Sequence, residues 1–293
     1  MSLNQNMIIG ANAYESVAQI IDTGDTGVSG FPLTNLLTPE MYLPAKFSTA
    51  DPAKTWVLLD FQKQRTISLS AMLKHNLTHA GTWRIRIWDG DPSVDAPVFD
   101  TDEMTMFPPI SGYGFLPWGE FAWGGSIEEY VQNTPIGFNR HSMLPYTDAV
   151  IGRYMRIDIS DPTNNDYPTI ARLWDSYGYQ PSMNISYGAK LIPIDKTEEK
   201  ESRSGVRHYG RIVKRKSIYM QFEILPIKEL LFNIFGPIHL RTGKKGQVLC
   251  ILQPLDPETW FFESCFGNLT EVDASEHTFF NRMGTSMTID EAI

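Results

Sequence analysis

The sequence predicts a mostly β protein built from two units, and three observations carry that prediction. Short apolar segments alternate with polar residues at period two, as half-buried strands do. The 22 Gly and 19 Pro of the 293 residues cluster with Asn and Asp between those segments, where turns are needed. One stretch alone combines helical periodicity with start and stop signals. A composition of 42% hydrophobic and 20% charged residues is that of a folded chain, and the length suits about two domains.

The first unit is expected over residues 1–175. Thr55–Phe61 is apolar and β-prone. Ile67, Leu69, Ala71 and Leu73 hold alternate positions. Trp83, Ile85 and Ile87 alternate with Arg84 and Arg86, and Met155, Ile157 and Ile159 alternate with Arg156 and Asp158. Thr169–Trp174 reads as a closing strand. Short strands of this kind predict an antiparallel sandwich. An insertion at about 89–150 interrupts it, hanging Phe107, Tyr113, Phe115, Trp118, Phe121 and Trp123 on a backbone rich in Pro and Gly. Such aromatics fit a sugar platform, a subunit contact or a loop folded back over its own sandwich.

The second unit is expected over residues 176–293. Lys190–Asp195 reads as a strand whose Pro193 favours an edge, and a second strand follows over Ile212–Leu225. Between them lies a charged hairpin with Arg203, Arg207, Arg211, Lys214, Arg215 and Lys216. It is either a solvated tip or an electrostatic contact, for example with the acidic half of a neighbouring copy. Pro226 opens a helix at about 226–236, with Ile227, Leu230, Leu231 and Ile234 as its apolar stripe and Gly236-Pro237 as its stop. Phe232 and Phe235 widen that surface. Strands are expected over Gln247–Leu252, Trp260–Leu269 and Asn281–Ile293.

The order of features in the first unit resembles a known family. Ser29-Gly30-Phe31-Pro32, Asn35-Leu36-Leu37, Lys46-Phe47-Ser48, Trp56–Asp60, His75-Asn76-Leu77-Thr78, Thr82–Trp88 and Arg153–Ile157 follow one another. This is similar to the galactose-binding-like (discoidin, coagulation factor 5/8 C-type) jelly roll, in the version found in tail proteins of tailed bacteriophages. The resemblance covers roughly residues 10–175, with a departure between Asp89 and Val150. It implies a virion structural protein of the tail tip or baseplate, assembled in the bacterial host cytoplasm. Its partners would be copies of itself and other tail proteins or fibres. The second unit resembles the tail-tube-like domains that build rings. A carbohydrate-binding adhesion module contacting the host envelope is the alternative. No cofactor is otherwise expected, but the family also implies a structural cation, here calcium, for which Asp22, Asp25, Asp89 and Asp91 supply hard oxygen ligands on turns.

Charge and motif content narrow the function further. Residues 1–175 carry 11 Lys/Arg and 20 Asp/Glu, so the whole net charge of −9 lies there, while residues 176–293 balance at 14 and 14. An acidic first unit is a poor nucleic-acid binder. No apolar run reaches the ~20 residues of a membrane helix, and Met1–Asn6 lacks the basic start of a secretion signal. The six histidines form no zinc pattern, and no nucleophile elbow or P-loop is present. Cys250 and Cys265 lie in apolar strands and are expected in the core. The chain is therefore expected not to be an enzyme.

Overall fold

The computed structural model describes residues 3–11, 13–78, 80–107, 141–164, 166–197, 199–203, 206–210 and 215–292. The chain runs through β1 (Ile8–Ala11), β2 (Gln19–Thr23), β3 (Ala45–Lys46), β4 (Trp56–His75), β5 (Thr82–Trp88), β6 (Phe99–Asp100), β7 (Met104–Thr105), β8 (His141–Ser160), β9 (Thr169–Ser176) and β10 (Gly178–Tyr179). It continues through β11 (Lys190–Ile194), β12 (Glu199–Glu201), β13 (Arg207–Tyr209), β14 (Arg215–Pro226), β15 (Gln247–Ile251), β16 (Ser264–Val272), β17 (Glu276–Phe279) and β18 (Arg282–Glu291). The class is mostly β, as the alternating segments predict.

The long strands β4 and β8 make the sandwich. They pair antiparallel along their length, with register shifts between Asp60 and Arg65 and between Ile67 and Leu69. The first half of β4 also pairs with β2, and its second half with β9. The later half of β8 pairs with β5. One hydrogen-bonded sheet therefore folds over on itself, with shifts at the bend that let strands change layer. Val57, Leu59, Ile67, Met72, Ile85, Ile157 and Leu173 fill the space between its layers. Trp83, Ile85 and Ile87 point inward, and Arg84 and Arg86 stand outside against Asp100 and Asp158.

The four alternating residues from Ile67 to Leu73 do not share a face. Ile67 joins the sandwich core, whereas Leu69, Ala71 and Leu73 turn outward onto Ile8, Leu249, Ile251 and Phe266. The register shift after Ile67 separates them. Because this stretch of β4 is covered on both sides, it is buried almost without break.

The second sheet runs β10-β1-β15-β16-β18-β14-β11, with β17 alongside β18. Strand β1 belongs here and not to the sandwich: Ile9 lies opposite Tyr179 on one side and Cys250 on the other. Strand β1, although it lies within residues 1–175, is therefore part of the second sheet. The chain begins in the second unit, leaves to build the sandwich and returns beside its own first strand. Its apolar sequence Met7-Ile8-Ile9 is what commits β1 to this sheet, where all three are buried.

One face of the second sheet carries a helix, α1. It makes one α turn at Ile227–Glu229 and continues as a π-type helix over Leu230–Thr242. The expected stop at Gly236-Pro237 is thus overrun. Proline lacks an N–H and crowds the carbonyl four residues back, and a widened helix is one way to accommodate it. The widening also changes the buried stripe. Leu230, Ile234 and Ile238 pack on Ile218, Met220, Phe222 and Met287, while Phe232 is 74% exposed. Trp260–Glu263 forms a short helix, α2, where the sequence predicts strand; β16 starts only at Ser264. Cys250 and Cys265 face each other across β15 and β16 as buried free thiols.

Candidate interaction surfaces

A projecting arm is the first surface. Strand β11 pairs with β14 from Lys190 opposite Tyr219 to Ile194 opposite Arg215. Further out, among the described residues, β12 and β13 form their own two-stranded sheet, Glu199 opposite Tyr209 and Glu201 opposite Arg207, and the Ser202 amide donates to the Val206 carbonyl at 2.8 Å. Every residue of both strands is exposed. Val206 is 53% and Tyr209 64% exposed, and Leu191 and Ile192 at the root are exposed as well. A two-stranded ribbon with no buried face is marginal in water.

The hairpin residues expected to make contacts divide. Arg203, Arg207 and Arg215 are exposed, with Arg207 paired to Glu199 at 3.2 Å. Arg211 and Lys214 lie outside the described residues. Lys216 corrects the expectation: its ammonium is turned inward, donating to the Phe261 carbonyl at 2.5 Å and to that of Phe262. Burial pushes its pKa down. The physical reason is position, since Lys216 belongs to the strand proper, opposite Pro193, and its long stem folds over the edge onto α2.

At the far end of β14 lies an apolar groove of about 430 Å³, walled by Met183–Tyr187 and Phe222–Leu225. It forms where β11 has ended. The Ser186 amide donates to the Gln221 carbonyl at 2.8 Å, and the Glu223 amide donates to the Ser186 hydroxyl at 3.2 Å. Glu229 holds the start of this loop, accepting from the Ser182 amide and the Tyr179 hydroxyl. Burial raises that carboxyl, but these hydrogen bonds outweigh it and leave its pKa below the ordinary value. Beside the groove, the turn from β17 to β18 exposes Phe279 and Phe280, with Asn281 at φ 61°. Nothing in the apolar pattern alone marks this surface; its signal is two adjacent phenylalanines before an Asn-Arg turn.

On the sandwich, the candidate residues fare differently. Phe107 is a core residue rather than a partner or glycan contact: it is buried, with its ring 5.4 Å from that of His75. Tyr113, Phe115, Trp118, Phe121 and Trp123 lie outside the described residues. The two ends of their segment are tied together, since Ser142 donates to the Met106 carbonyl at 2.7 Å and meets His75 Nε2 at 2.9 Å. Of the expected cation ligands, Asp25 accepts from the Ser48 amide and hydroxyl, Asp89 from Gln64, and Asp91 from the Ser93 amide and hydroxyl. Asp22 accepts from the next amide, that of Thr23. Asp22 and Asp91 thus hold their own turns, while Asp25 and Asp89 tie together segments 23 and 25 residues apart. Among the described residues no three His, Cys, Asp or Glu side chains gather as a metal site would require.

A polar group that sequence reasoning missed joins the two units. Arg172, 3% exposed, donates to Glu15 and to Gln247 of β15, and lies 4.9 Å from the Trp174 ring and 5.4 Å from that of Phe266. Burial pushes the Glu15 carboxyl up against the pull of Arg172. Close by, the Ser70 hydroxyl donates to Asp175 at 2.6 Å and meets the Tyr146 hydroxyl at 2.7 Å. Burial raises Asp175 to about 7. The available signal was a charge at each of two positions inside the apolar run Thr169–Ser176.

No family model matches the chain, and no curated protein does. Among solved structures it is similar to the family 32 carbohydrate-binding module of Clostridium perfringens NanJ in complex with galactose. There the identity is 12%, the match covers 58% of this chain and 100% of that one, and the TM-score is 0.37. A module from a family 31 glycoside hydrolase of the same organism matches at 12% identity over 55% of this chain and 94% of that one, with a TM-score of 0.34. A Ruminococcus gnavus family 29 fucosidase in complex with fucose matches at 11% identity over 57% of this chain and 27% of that one, also at 0.34. Among the described residues no helix is long and apolar enough to cross a membrane.

Proposed function

We propose that this chain is a structural component of a tailed-bacteriophage tail tip or baseplate. It acts as an oligomer that docks neighbouring tail proteins or fibres by surface contact, without turnover. The arm carries the reading: every residue of β12 and β13 is exposed, and the two strands form a two-stranded ribbon. Such a ribbon gains stability when a partner covers it. In this reading the second unit joins copies, and the sandwich, a galactose-binding-like jelly roll, projects toward other components of the virion. Assembly takes place in the bacterial host cytoplasm. Nucleic acid is not a partner, because the sandwich is acidic. The mass of the purified chain in solution, together with its place in an intact particle, tests this. An oligomer located at the tail tip supports it; a chain that stays monomeric and docks on no tail protein overturns it.

A second reading, a carbohydrate-binding adhesion module, is favoured by one observation. The aromatic segment starts and ends at a fixed base, where Met106, Ser142 and His75 are hydrogen-bonded together. Loops on a rigid sandwich are where binding residues are commonly carried. A glycan array run with Trp118→Ala and Trp123→Ala separates the two readings. Specific glycan binding lost in either variant supports adhesion, and assembly lost without any glycan response supports the structural role.

A further inference from the structure

Helix α1 and the turn beside it leave large apolar side chains in water. Bonds along the π-type part of α1 join residues five apart, so about four to five residues make a turn. Leu230, Ile234 and Ile238 accordingly line up against the sheet. Leu231 and Phe232 stay outside, and Leu240 and Arg241 repeat their positions two turns later. Phe232 is 74% and Leu240 70% exposed. Lys228 before them and Lys244 and Lys245 after them are exposed as well. From Lys228 to Lys245 the chain holds four cations and one carboxylate, that of Glu229, which Ser182 and Tyr179 already engage. The turn from β17 to β18 is fastened to the start of this helix, where the Ile227 amide donates to the Asn281 carbonyl at 3.4 Å. Phe279 and Phe280 project from that turn, Phe280 fully exposed. The neighbouring carboxylates stand back from its tip: Glu276 lies along β17 opposite Gly284, and the Thr278 hydroxyl donates to the backbone carbonyl of Glu223 in β14.

We infer that this helix face and turn form a peripheral contact with an anionic lipid surface, a role beyond the assembly reading and independent of it. Phenylalanine and leucine gain by leaving water for the boundary of the acyl chains, and lysine and arginine stems reach from that depth to the phosphate headgroups. One lipid layer therefore satisfies both kinds of side chain, although Phe232 and Arg241 share a line on the helix. The rest of the chain sets the orientation. The net charge of −9 belongs to residues 1–175, so an anionic surface repels the sandwich while it attracts α1. Among the described residues no helix is long and apolar enough to cross a membrane, and the contact lies on the surface.

The test is flotation of the purified chain with vesicles of phosphatidylcholine, alone or mixed with phosphatidylglycerol, at low and high salt. The chain should float with the phosphatidylglycerol vesicles, less so at high salt, and not with phosphatidylcholine alone. Phe232→Ser and Phe280→Ser should each weaken partitioning about tenfold. Lys244→Ala with Lys245→Ala should weaken it at least about tenfold. These positions are exposed, so the urea midpoint of each variant should match that of the parent. Phe232→Leu keeps an apolar side chain and should float as the parent does; losing flotation as Phe232→Ser does overturns the inference. No flotation with phosphatidylglycerol vesicles, equal flotation with both kinds, or flotation unchanged in the serine and alanine variants also overturns it, and each leaves the assembly reading standing. Self-association abolished by the same substitutions, without flotation, assigns the patch to a second copy and overturns it as well.

Discussion

The sandwich and the arm differ in where their polar and apolar groups find partners. On the sandwich, charges are matched within the chain. Arg84 meets Asp100 at 2.5 Å, Arg86 and Arg156 share Asp158 at 2.7 Å, and Arg153 grips Asp60 at 2.8 Å. Its apolar residues are enclosed between layers. In the arm, Val206 and Tyr209 are exposed, and the two short strands pair with each other. The difference teaches that stability and association are carried by separate parts of this molecule, so substitutions in one should leave the other largely untouched.

The largest effect that would break this comparison is expected at the junction of the two units. Arg172→Ala removes the cation from buried Glu15 and the stacking on Trp174 and Phe266, and should cost about 3–5 kcal/mol in urea unfolding. Next is Asp175. Its pKa of about 7 lies above the ordinary 3.8, so between those values the folded chain holds a proton that the unfolded chain has lost. Stability is then greatest below the lower value, falls as pH rises, and stays reduced above about 7. Asp175→Asn should abolish that fall and be the more stable protein at pH 8, by a few kcal/mol at roughly 1.4 kcal/mol per pH unit. Unfolding midpoints at pH 5 and pH 8 check this.

Asp60 should behave oppositely. The Arg153 guanidinium, with the Gln62 amide, holds its carboxyl below the usual range. Its contribution is therefore present above the ordinary pKa and is lost as pH falls through the depressed one. Asp60→Asn should flatten the acid side of the stability profile and lower stability above neutrality by a constant amount, with no change in its pH dependence there. The smallest change in stability is expected in the arm. Tyr209→Ser should shift unfolding by no more than about 0.5 kcal/mol while lowering the average mass of the assembly in light scattering. A large loss of stability in that variant would merge the two regions and end the distinction.

Much of the sandwich was legible from alternation. Trp83 to Trp88 and Met155 to Ile159 face as their patterns predict, because each is covered on one side only. What was not legible depended on contacts remote in sequence. Ile67 and Leu69 part company at a register shift that no periodicity records. The helix outruns Pro237 because neighbouring packing of Ile238 outweighs one lost hydrogen bond. Lys216 reads as part of a charged run, yet its ammonium is satisfied by two carbonyls that only folding brings near. Phe107 reads as the start of an aromatic insertion but belongs to the sandwich core. The groove was hidden altogether, since it forms where one strand happens to be shorter than its neighbour.

Strand β1 pairs with Tyr179 and with Val248–Ile251, which bears on how the polypeptide is made. As the ribosome delivers the chain, its first strand emerges long before either flanking neighbour exists. The sandwich can close while that strand waits, and the surrounding sheet cannot be completed until β15 has cleared the exit tunnel. A nascent chain arrested once Ser176 has cleared the tunnel, and before β15 has done so, should therefore already protect the sandwich from protease while leaving Met7–Ala11 open to cleavage.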